Sequence, residues 1–292
     1  MVDGPARWGA PRVAAVLVLV LTAATGALVT GCGSELPAQV TATTLPTPSE
    51  ATTGPRVADP ERIDPFEVAE PMTISDVVVA GNVLVRPGAD LVLDHVEVEG
   101  TIVFVVAPFQ PKTKLHADGV VASGLYATTT TNGGDVYDLD YKGPGSEVPA
   151  ELVVTNSYFN NPPAAPPDHT EALAGFGWIK GARFVNTAFI QQGPNNLTQT
   201  AAVNWHGSDT VFERCYFGWD PSGEPAAFYA VYVSGPRNVV RDSEMEIGMD
   251  GGGYIYPDPD KGGDPASYSG NVDAFSGDPV TLEAEKRRPT TR

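Results

Sequence analysis

Cysteine is scarce in this chain of 292 residues, which contains two, Cys32 and Cys215. Small secreted domains that depend on disulfides carry several pairs of cysteines, so a disulfide framework is excluded here. The folded part must therefore be stabilised by its apolar core, and a domain of about 220 residues is long enough to bury one.

Basic residues are also few: 18 Lys and Arg stand against 36 Asp and Glu, which gives a formal net charge of −18. Nucleic acids bind proteins through basic surfaces that displace counterions, so a nucleic-acid partner is excluded. The most anionic polysaccharides would be repelled as well, unless a divalent cation bridges them to the protein.

Long apolar runs are lacking too. The apolar segment Val13–Val29 has 17 residues, with Thr and Gly among them, and falls short of the ~20 apolar residues that a membrane span needs. Arg7 and Arg12 precede it, as in a secretory signal peptide. The tetrapeptide Val29-Thr30-Gly31-Cys32 resembles a bacterial lipobox, in which the cysteine becomes the lipidated first residue of the mature protein. We therefore expect a signal peptide over residues 1–31. The mature protein would be extracytoplasmic, and a lipid on Cys32 would anchor it to the cell membrane. The alternative is an ordinary secretory signal with a chance cysteine.

A stretch rich in Pro, Thr, Ala, Ser and Gly follows Cys32 and continues to about Pro60. Such a composition buries too little apolar surface to offset the entropy of ordering the chain. We expect a disordered tether over residues 32–65, a folded domain over residues 66–282 and a short basic tail over residues 283–292.

The clearest positive feature is a short pattern that occurs five times. Each copy has an apolar residue, two polar or variable residues, a residue that is small in most copies, one variable position and a last apolar residue. The copies are Leu93–Val98, Val154–Phe159, Phe184–Phe189, Phe212–Phe217 and Val240–Met245, and their third residues are His95, Asn156, Asn186, Arg214 and Asp242. The last three intervals between copies are 30, 28 and 28 residues, and the first, 61, corresponds to about two of them. Self-similarity with this period indicates a repeat architecture.

The spacing inside the pattern indicates strands that bend. Inward side chains of a strand recur every second residue, but the step from Val154 to Ser157 is three and the step from Ser157 to Phe159 is two. The extra residue, Asn156, therefore lies at a corner, and asparagine tolerates the left-handed conformation that a tight corner needs. Equivalent side chains of successive copies are expected to stack in inward columns. One column contains Cys215, which we interpret as a buried core residue rather than a nucleophile.

This pattern resembles the right-handed parallel β-helix of pectate-lyase-like proteins, which carries such a corner residue in its second turn. The resemblance covers roughly residues 72–280 and implies an all-β, single-domain fold with three-stranded turns of roughly 28–30 residues. It brings no catalytic signature with it. The segment Gly235–Arg241 departs from the paired-arginine motif of pectate lyases, and His206 lacks the companion motifs of polygalacturonases, so neither activity is expected.

If each corner lies between a second and a third strand, the first strand lies about 15 residues upstream. The first strands are then expected at or near Tyr137–Tyr141, His169–Leu173, Gln199–Val203 and Phe228–Val233. In pectate-lyase-like proteins, the first strands and the loops around them line the polysaccharide groove. Asp138 and Asp140 would share one face of the first of these strands. His169 and Glu171 would face solvent on the second, so three carboxylates and an imidazole would lie close together.

This cluster suits more than one chemistry. Carboxylates held close together raise each other's pKa, so that one can act as a general acid while another stays ionised, as glycoside hydrolysis requires. A polysaccharide lyase instead uses cations or Ca²⁺ to acidify the proton beside a uronate carboxyl, and the same four residues could hold that ion. No other cofactor is expected. Exposed rings stack on sugar faces, and the candidate substrate-binding residues, at or beside the first strands, are Trp205, His206, Tyr229 and Tyr232.

The sequence as a whole favours a surface-anchored, carbohydrate-binding or carbohydrate-active protein whose partner is a polysaccharide or cell-wall glycan. In a catalytic version, a hydrolase or a lyase, Glu171 and Asp140 form the carboxylate pair, and Asp138 and His169 support it. The alternative is a non-catalytic structural or protein-interaction module at the cell envelope. The two hypotheses differ in whether these four side chains meet in a concave groove or point away on a flat wall.

Overall fold

The computed structural model describes residues 47–130, 147–162, 171–176, 178–192, 201–219, 227–248, 253–258 and 267–280. Within these ranges the protein is all-β, and no helix is long and apolar enough to cross a membrane. The described residues belong to one compact unit, Leu45–Arg292.

The strands are short, and corners or loops separate most of them. The first thirteen are β1 (Glu61–Ile63), β2 (Phe66–Val68), β3 (Met72–Ser75), β4 (Val77–Val79), β5 (Val83–Val85), β6 (Asp90–Asp94), β7 (Glu97–Val106), β8 (Lys114–Asp118), β9 (Val121–Thr129), β10 (Val148–Pro149), β11 (Glu151–Thr155), β12 (Tyr158–Asn161) and β13 (Leu173–Gly175). They are followed by β14 (Ile179–Lys180), β15 (Arg183–Val185), β16 (Ala188–Gln191), β17 (Ala201–His206), β18 (Val211–Glu213), β19 (Tyr216–Trp219), β20 (Tyr229–Ser234), β21 (Val239–Arg241), β22 (Glu244–Met245), β23 (Gly253–Asp258), β24 (Ser267–Ser269) and β25 (Val272–Asp273).

These strands pair in parallel and form three sheets. One sheet has eight strands in the order β24-β21-β18-β15-β11-β8-β6-β3. A second has fifteen, with the main path β23-β20-β17-β13-β9-β12-β16-β19-β22-β25, and β10 pairs with β14 in a third. The large sheet contains two ladders that share β9, because the first part of β9 pairs with β12 and the second part with β13. The prediction of an all-β fold with parallel strands is confirmed.

Successive copies of the sequence pattern lie directly beside one another. In the eight-stranded sheet, Phe184 pairs with Val154 on one side and with Phe212 on the other. The interval of strand pairing in this part of the chain is therefore the same as the interval of the sequence pattern. Phe184 and Phe212 stack with ring centroids 4.8 Å apart, so register and core packing support each other.

The bend predicted at the third residue of each copy is present. All five third residues have a positive φ between 49° and 54°: His95, Asn156, Asn186, Arg214 and Asp242. Gly119, with a φ of 63°, forms another corner between His95 and Asn156 and accounts for the doubled first interval. Each corner amide donates to the neighbouring repeat, as Asn156 N does to Val185 O at 3.1 Å. The corner side chains also connect, since Asn186 Nδ2 donates to Asn156 Oδ1 at 2.8 Å.

The inward columns of the pattern form the core. Phe189 stacks on Phe159 with ring centroids 5.6 Å apart. Beside the corners lies a column of small buried residues: Ser157, Thr187, Cys215 and Ser243. Burial raises the pKa of the Cys215 thiol to about 12, so the thiolate that a nucleophile needs is disfavoured. The interpretation of Cys215 as a buried core residue is confirmed.

Ordered structure begins before the expected domain boundary. Gly54 N donates to Gly119 O at 2.8 Å, and Arg56 forms an ion pair with Asp76 at 2.9 Å. Strand β1 also lies before residue 66 and pairs in parallel with β4. The expectation of a disordered tether up to residue 65 is therefore wrong for residues 54–63, because backbone pairing and an ion pair hold a segment whose apolar content is low.

Candidate functional site

Five neighbouring strands of the large sheet carry the candidate site, and we call β9, β13, β17, β20 and β23 the site strands. Ala174 of β13 pairs with Tyr126 on one side and with Asn204 on the other. The same row continues from Asn204 to Tyr232 and from Tyr232 to Tyr256. Residues that alternate with this row belong to the core: Leu173, Val203, Val231 and Ile255. These paired residues, from Tyr126 to Tyr256, therefore face away from the core.

Aromatic rings follow one another across this face. The distances between ring centroids are 5.7 Å from Tyr126 to Phe176, 5.3 Å from Phe176 to His206, 5.6 Å from His206 to Tyr232, 5.4 Å from Tyr232 to Tyr256 and 5.0 Å from Tyr256 to Tyr229. We call these six residues the aromatic row. Each of them is at least partly exposed. The separations are close to the spacing of neighbouring strands, so the sheet itself sets the distance between the rings.

Polar groups hold two of the rings in place. Tyr232 Oη donates a hydrogen bond to Asp258 Oδ2, and burial together with this carboxylate raises the pKa of Tyr232. His206 Nδ1 lies 2.9 Å from Ser234 Oγ. Because His206, Ser234 and Asp258 are paired in register, these polar groups lie directly beside the aromatic row.

Glu171 precedes β13 and lies at one end of the aromatic row. It is 6% exposed and accepts a hydrogen bond from Asn204 Nδ2 at 3.4 Å. Burial raises the pKa of Glu171 to about 7, although the hydrogen bond from Asn204 opposes this rise. Glu171 lines a cavity of about 300 Å³ together with Tyr126, Phe176 and Asn161. The cavity thus joins a carboxyl group to the first two rings of the row.

The expectation that Glu171 faces solvent is wrong. Strand β13 begins at Leu173 instead of His169, and Ala172 and Leu173 are both buried. Glu171 therefore belongs to the segment that leads into β13, where side chains do not alternate between the two faces. Strict alternation cannot predict the orientation of such a residue.

The prediction of which strand lies beside β13 is also wrong. Strand β13 pairs with β9 and β17, since Leu173 is the partner of both Leu125 and Val203. Both of its edges are therefore occupied by β9 and β17, where a strand at Tyr137–Tyr141 was expected; residues 137–141 lie outside the described ranges. The expected pairing fails because the corners at Gly119 and Asn156 are 37 residues apart, which is more than the repeat interval. Three of the predicted catalytic residues lie outside the described residues: Asp138, Asp140 and His169.

The four candidate substrate-binding residues fall into two groups. His206, Tyr229 and Tyr232 are members of the aromatic row, and their contact with a ligand stays a prediction. Trp205 is completely buried and donates from Nε1 to Thr210 Oγ1 at 2.8 Å. A ligand contact for Trp205 is therefore a wrong prediction, because Trp205 alternates with His206 along β17 and points into the core.

Basic side chains are engaged elsewhere. Every Lys and Arg that the structure describes forms an ion pair with Asp or Glu. In the eight-stranded sheet, for example, Glu213 lies 2.9 Å from Arg241 and 3.4 Å from Arg183. None of these described cations lines the cavity beside Glu171.

Away from this site, one group of side chains among the described residues has ligand atoms close enough together for a metal ion. Asp94, His95 and Asp118 offer atoms that lie within 4.8 Å of one another. Both carboxylates already have partners, since Arg56 Nη2 donates to Asp94 at 2.8 Å and Asn156 Nδ2 donates to Asp118 at 2.8 Å. These contacts connect successive corners, so the structure explains the group without a metal.

Sequence reasoning missed four residues of this face: Tyr126, Phe176, Asn204 and Tyr256. A signal for Tyr256 is present, because Tyr254-Ile255-Tyr256 alternates as a strand with one buried face does. The sequence signal for Tyr126 and Phe176 is weaker. Each is a single ring among mostly small residues, and no copy of the repeated pattern defines its position in a strand.

No family model, no curated protein and no solved structure matches the chain. Function is therefore inferred from the geometry and chemistry of the site alone.

Proposed function

We propose that the chain folds as a single-domain right-handed parallel β-helix of the pectate-lyase-like kind, with three-stranded turns of roughly 28–30 residues. In support, copies of the sequence pattern pair in parallel at this interval, and left-handed corners recur beside one another. The eight-stranded sheet and the two ladders of the large sheet would be the three faces of such a coil.

We propose further that the aromatic row binds a carbohydrate. The observation that carries this proposal is the row itself, in which six partly exposed residues follow one another with centroids 5.0–5.7 Å apart. Rings with one apolar face and a polar edge suit sugars, whose C–H groups pack on the ring while their hydroxyls find hydrogen-bond partners. Asp258 and Ser234 lie beside the rings and position the polar edges of Tyr232 and His206 for sugar hydroxyls.

Binding is better supported than hydrolysis. Glu171 precedes β13, and Asp258 lies on β23, three strands away, which is about 14 Å at the usual strand spacing. Hydrolases that use two carboxyl groups hold them roughly 5–9.5 Å apart. A hydrolase would therefore need a partner for Glu171 other than Asp258, a role that Asp140, outside the described residues, would have.

The proposed place of action is outside the cell, on a polysaccharide or a cell-wall glycan. The Val29–Cys32 tetrapeptide and the apolar segment before it support export and a lipid anchor on Cys32; both lie outside the described residues. The net charge of −18 supports a glycan over nucleic acid as the partner.

A ring deletion tests the proposal. The full chain would be screened on a glycan array, and the affinity for the strongest ligand would be measured for Tyr256→Ala and for Phe275→Ala. Tyr256 is 36% exposed within the aromatic row, and Phe275 is a 79% exposed ring outside it. We expect Tyr256→Ala to weaken binding about tenfold, a typical loss for an aromatic contact residue, and Phe275→Ala to leave binding unchanged. Absence of glycan binding, or an equal loss in both variants, would refute the proposal.

A further inference from the structure

Two polar groups at one end of the aromatic row are incompletely paired: the Glu171 carboxyl group, which lines the cavity, and the Asn204 amide beside it. Among the described residues, the partner of the Glu171 carboxyl group is Asn204 Nδ2, at the long distance of 3.4 Å. The other side-chain atom of this amide, Asn204 Oδ1, is buried and has no hydrogen-bond partner. Buried acceptors in folded proteins normally have a donor. Glu171 lines the cavity, so its carboxyl group points to a ligand there that supplies one.

The walls of the cavity favour a ligand with positive charge. The described lining contains the Glu171 carboxyl group, the Asn161 amide, a threonine and two aromatic rings, but no Lys or Arg. Tyr126 and Phe176, with centroids 5.7 Å apart, form part of the wall. Ring faces attract cations, and a carboxylate attracts an ammonium group more strongly than it attracts a neutral donor.

We propose that this cavity binds the ammonium group of an amino sugar, so that the glycan bound along the aromatic row carries a free amine at this position. The inference rests on the proposed glycan binding and names the class of sugar. An ammonium group has three donors and no acceptor, which suits the Glu171 carboxylate in the wall of the cavity. It also compensates for the burial that raises the pKa of Glu171 to about 7, because an adjacent cation stabilises the ionised carboxylate.

Matched oligosaccharides test the inference. The affinities of the full chain for the tetramer of glucosamine and for its N-acetylated counterpart would be measured by calorimetry at pH 7 and physiological salt. N-acetylation removes the charge and keeps the sugar ring. We expect the free-amine tetramer to bind about tenfold more tightly, in keeping with a hydrogen bond to a charged group.

Two variants show whether Glu171 is responsible for this preference. Glu171→Gln removes the charge with little change of shape, and the preference should fall to within about threefold while binding of the N-acetylated tetramer is retained. Glu244→Gln removes one charge at an exposed position of β22 and should keep the full preference. Retained binding of the N-acetylated tetramer also shows that each variant is folded. If Glu171→Gln fails to fold, Glu171→Met, which also removes the charge, replaces it with the same expected loss of preference.

The outcomes separate the two proposals. Equal binding of both tetramers, or a preference that survives Glu171→Gln, would refute the ammonium site and leave glycan binding intact. A preference lost equally in Glu244→Gln would also refute it, since the effect would then come from net charge. Failure to bind any glycan on the array would refute both proposals.

Discussion

At Glu171 a carboxyl group is largely removed from water, with a long hydrogen bond from Asn204 as partial compensation. Burial therefore raises its pKa from an ordinary value of 4.5 to about 7. Between these two values the native protein holds a proton that the unfolded chain has released. Stability must then fall as the pH rises from about 4.5 to about 7, and the loss is complete above that range.

Glu171→Gln should remove this pH dependence. At pH 8 we expect the variant to be more stable than the wild type by on the order of 3 kcal/mol, and at pH 4 we expect the two proteins to be equal. The measurement is the difference in free energy of unfolding by urea at several pH values, in which carboxyl groups common to both proteins cancel. A difference that does not vary with pH would contradict the buried position of Glu171, and Glu244→Gln serves as the exposed control.

Single residues of the aromatic row illustrate what the sequence could not supply. Side chains that face away from the core are not constrained by core packing. A ring such as Phe176 can therefore lie on the outer face without a periodic sequence pattern around it. The row exists because parallel register brings together one or two rings from each of the five site strands or the residues next to them. Their proximity therefore follows from the register of the sheet, which no one segment encodes.

At the scale of an element, the repeated unit combines a left-handed corner with inward columns. Phe212 stacks on Phe184 in such a column, while Arg214 has a φ of 53° at the corner two residues later. Phe212→Asp places an unpaired charge in the core and should unfold the domain, at a cost of several kcal/mol. Arg214→Asn should leave stability unchanged or raise it by less than about 1 kcal/mol, because asparagine tolerates the left-handed region.

Urea unfolding followed by circular dichroism would compare these two variants with Phe212→Leu. The leucine variant keeps an apolar side chain in the column and should lose about 1–3 kcal/mol. A folded Phe212→Asp together with an unfolded Arg214→Asn would show that the register of the repeat is wrong.

The elements differ in how far the sequence determines them. Corners and columns could be predicted because each copy requires one residue that tolerates a positive φ and three that fit an inward column. The strand next to β13 could not, because the corners at Gly119 and Asn156 are 37 residues apart, and counting from the second one misses an insertion. The insertion changes the length of the connection but not the register, which core residues such as Leu125 and Leu173 set.

At the scale of the whole molecule, charge is distributed unevenly over the described residues. Cations and carboxylates pair across strands of the eight-stranded sheet, as Lys114 and Asp90 do at 2.9 Å, whereas the cavity in the large sheet has a carboxyl group without a described cation. Exposed ion pairs of this kind add little stability. Their main consequence is that the described Lys and Arg side chains are occupied, which favours a ligand that brings its own positive charge or none.

The net charge of −18 also determines how the chain can be attached to a membrane. Anionic lipid surfaces attract basic segments and repel acidic ones, so membrane retention should depend on the proposed lipid at Cys32. Cys32→Ser, expressed as the full chain in a bacterial host, should move the protein from the membrane fraction to the soluble fraction, because three acyl chains are lost together. Cys215→Ser is the matched control: serine occupies the equivalent column position at Ser157 and Ser243, and this variant should stay in the membrane fraction. Membrane retention of Cys32→Ser, with an unmodified Cys32 in mass spectra of the wild type, would show that the anchor is not a lipid.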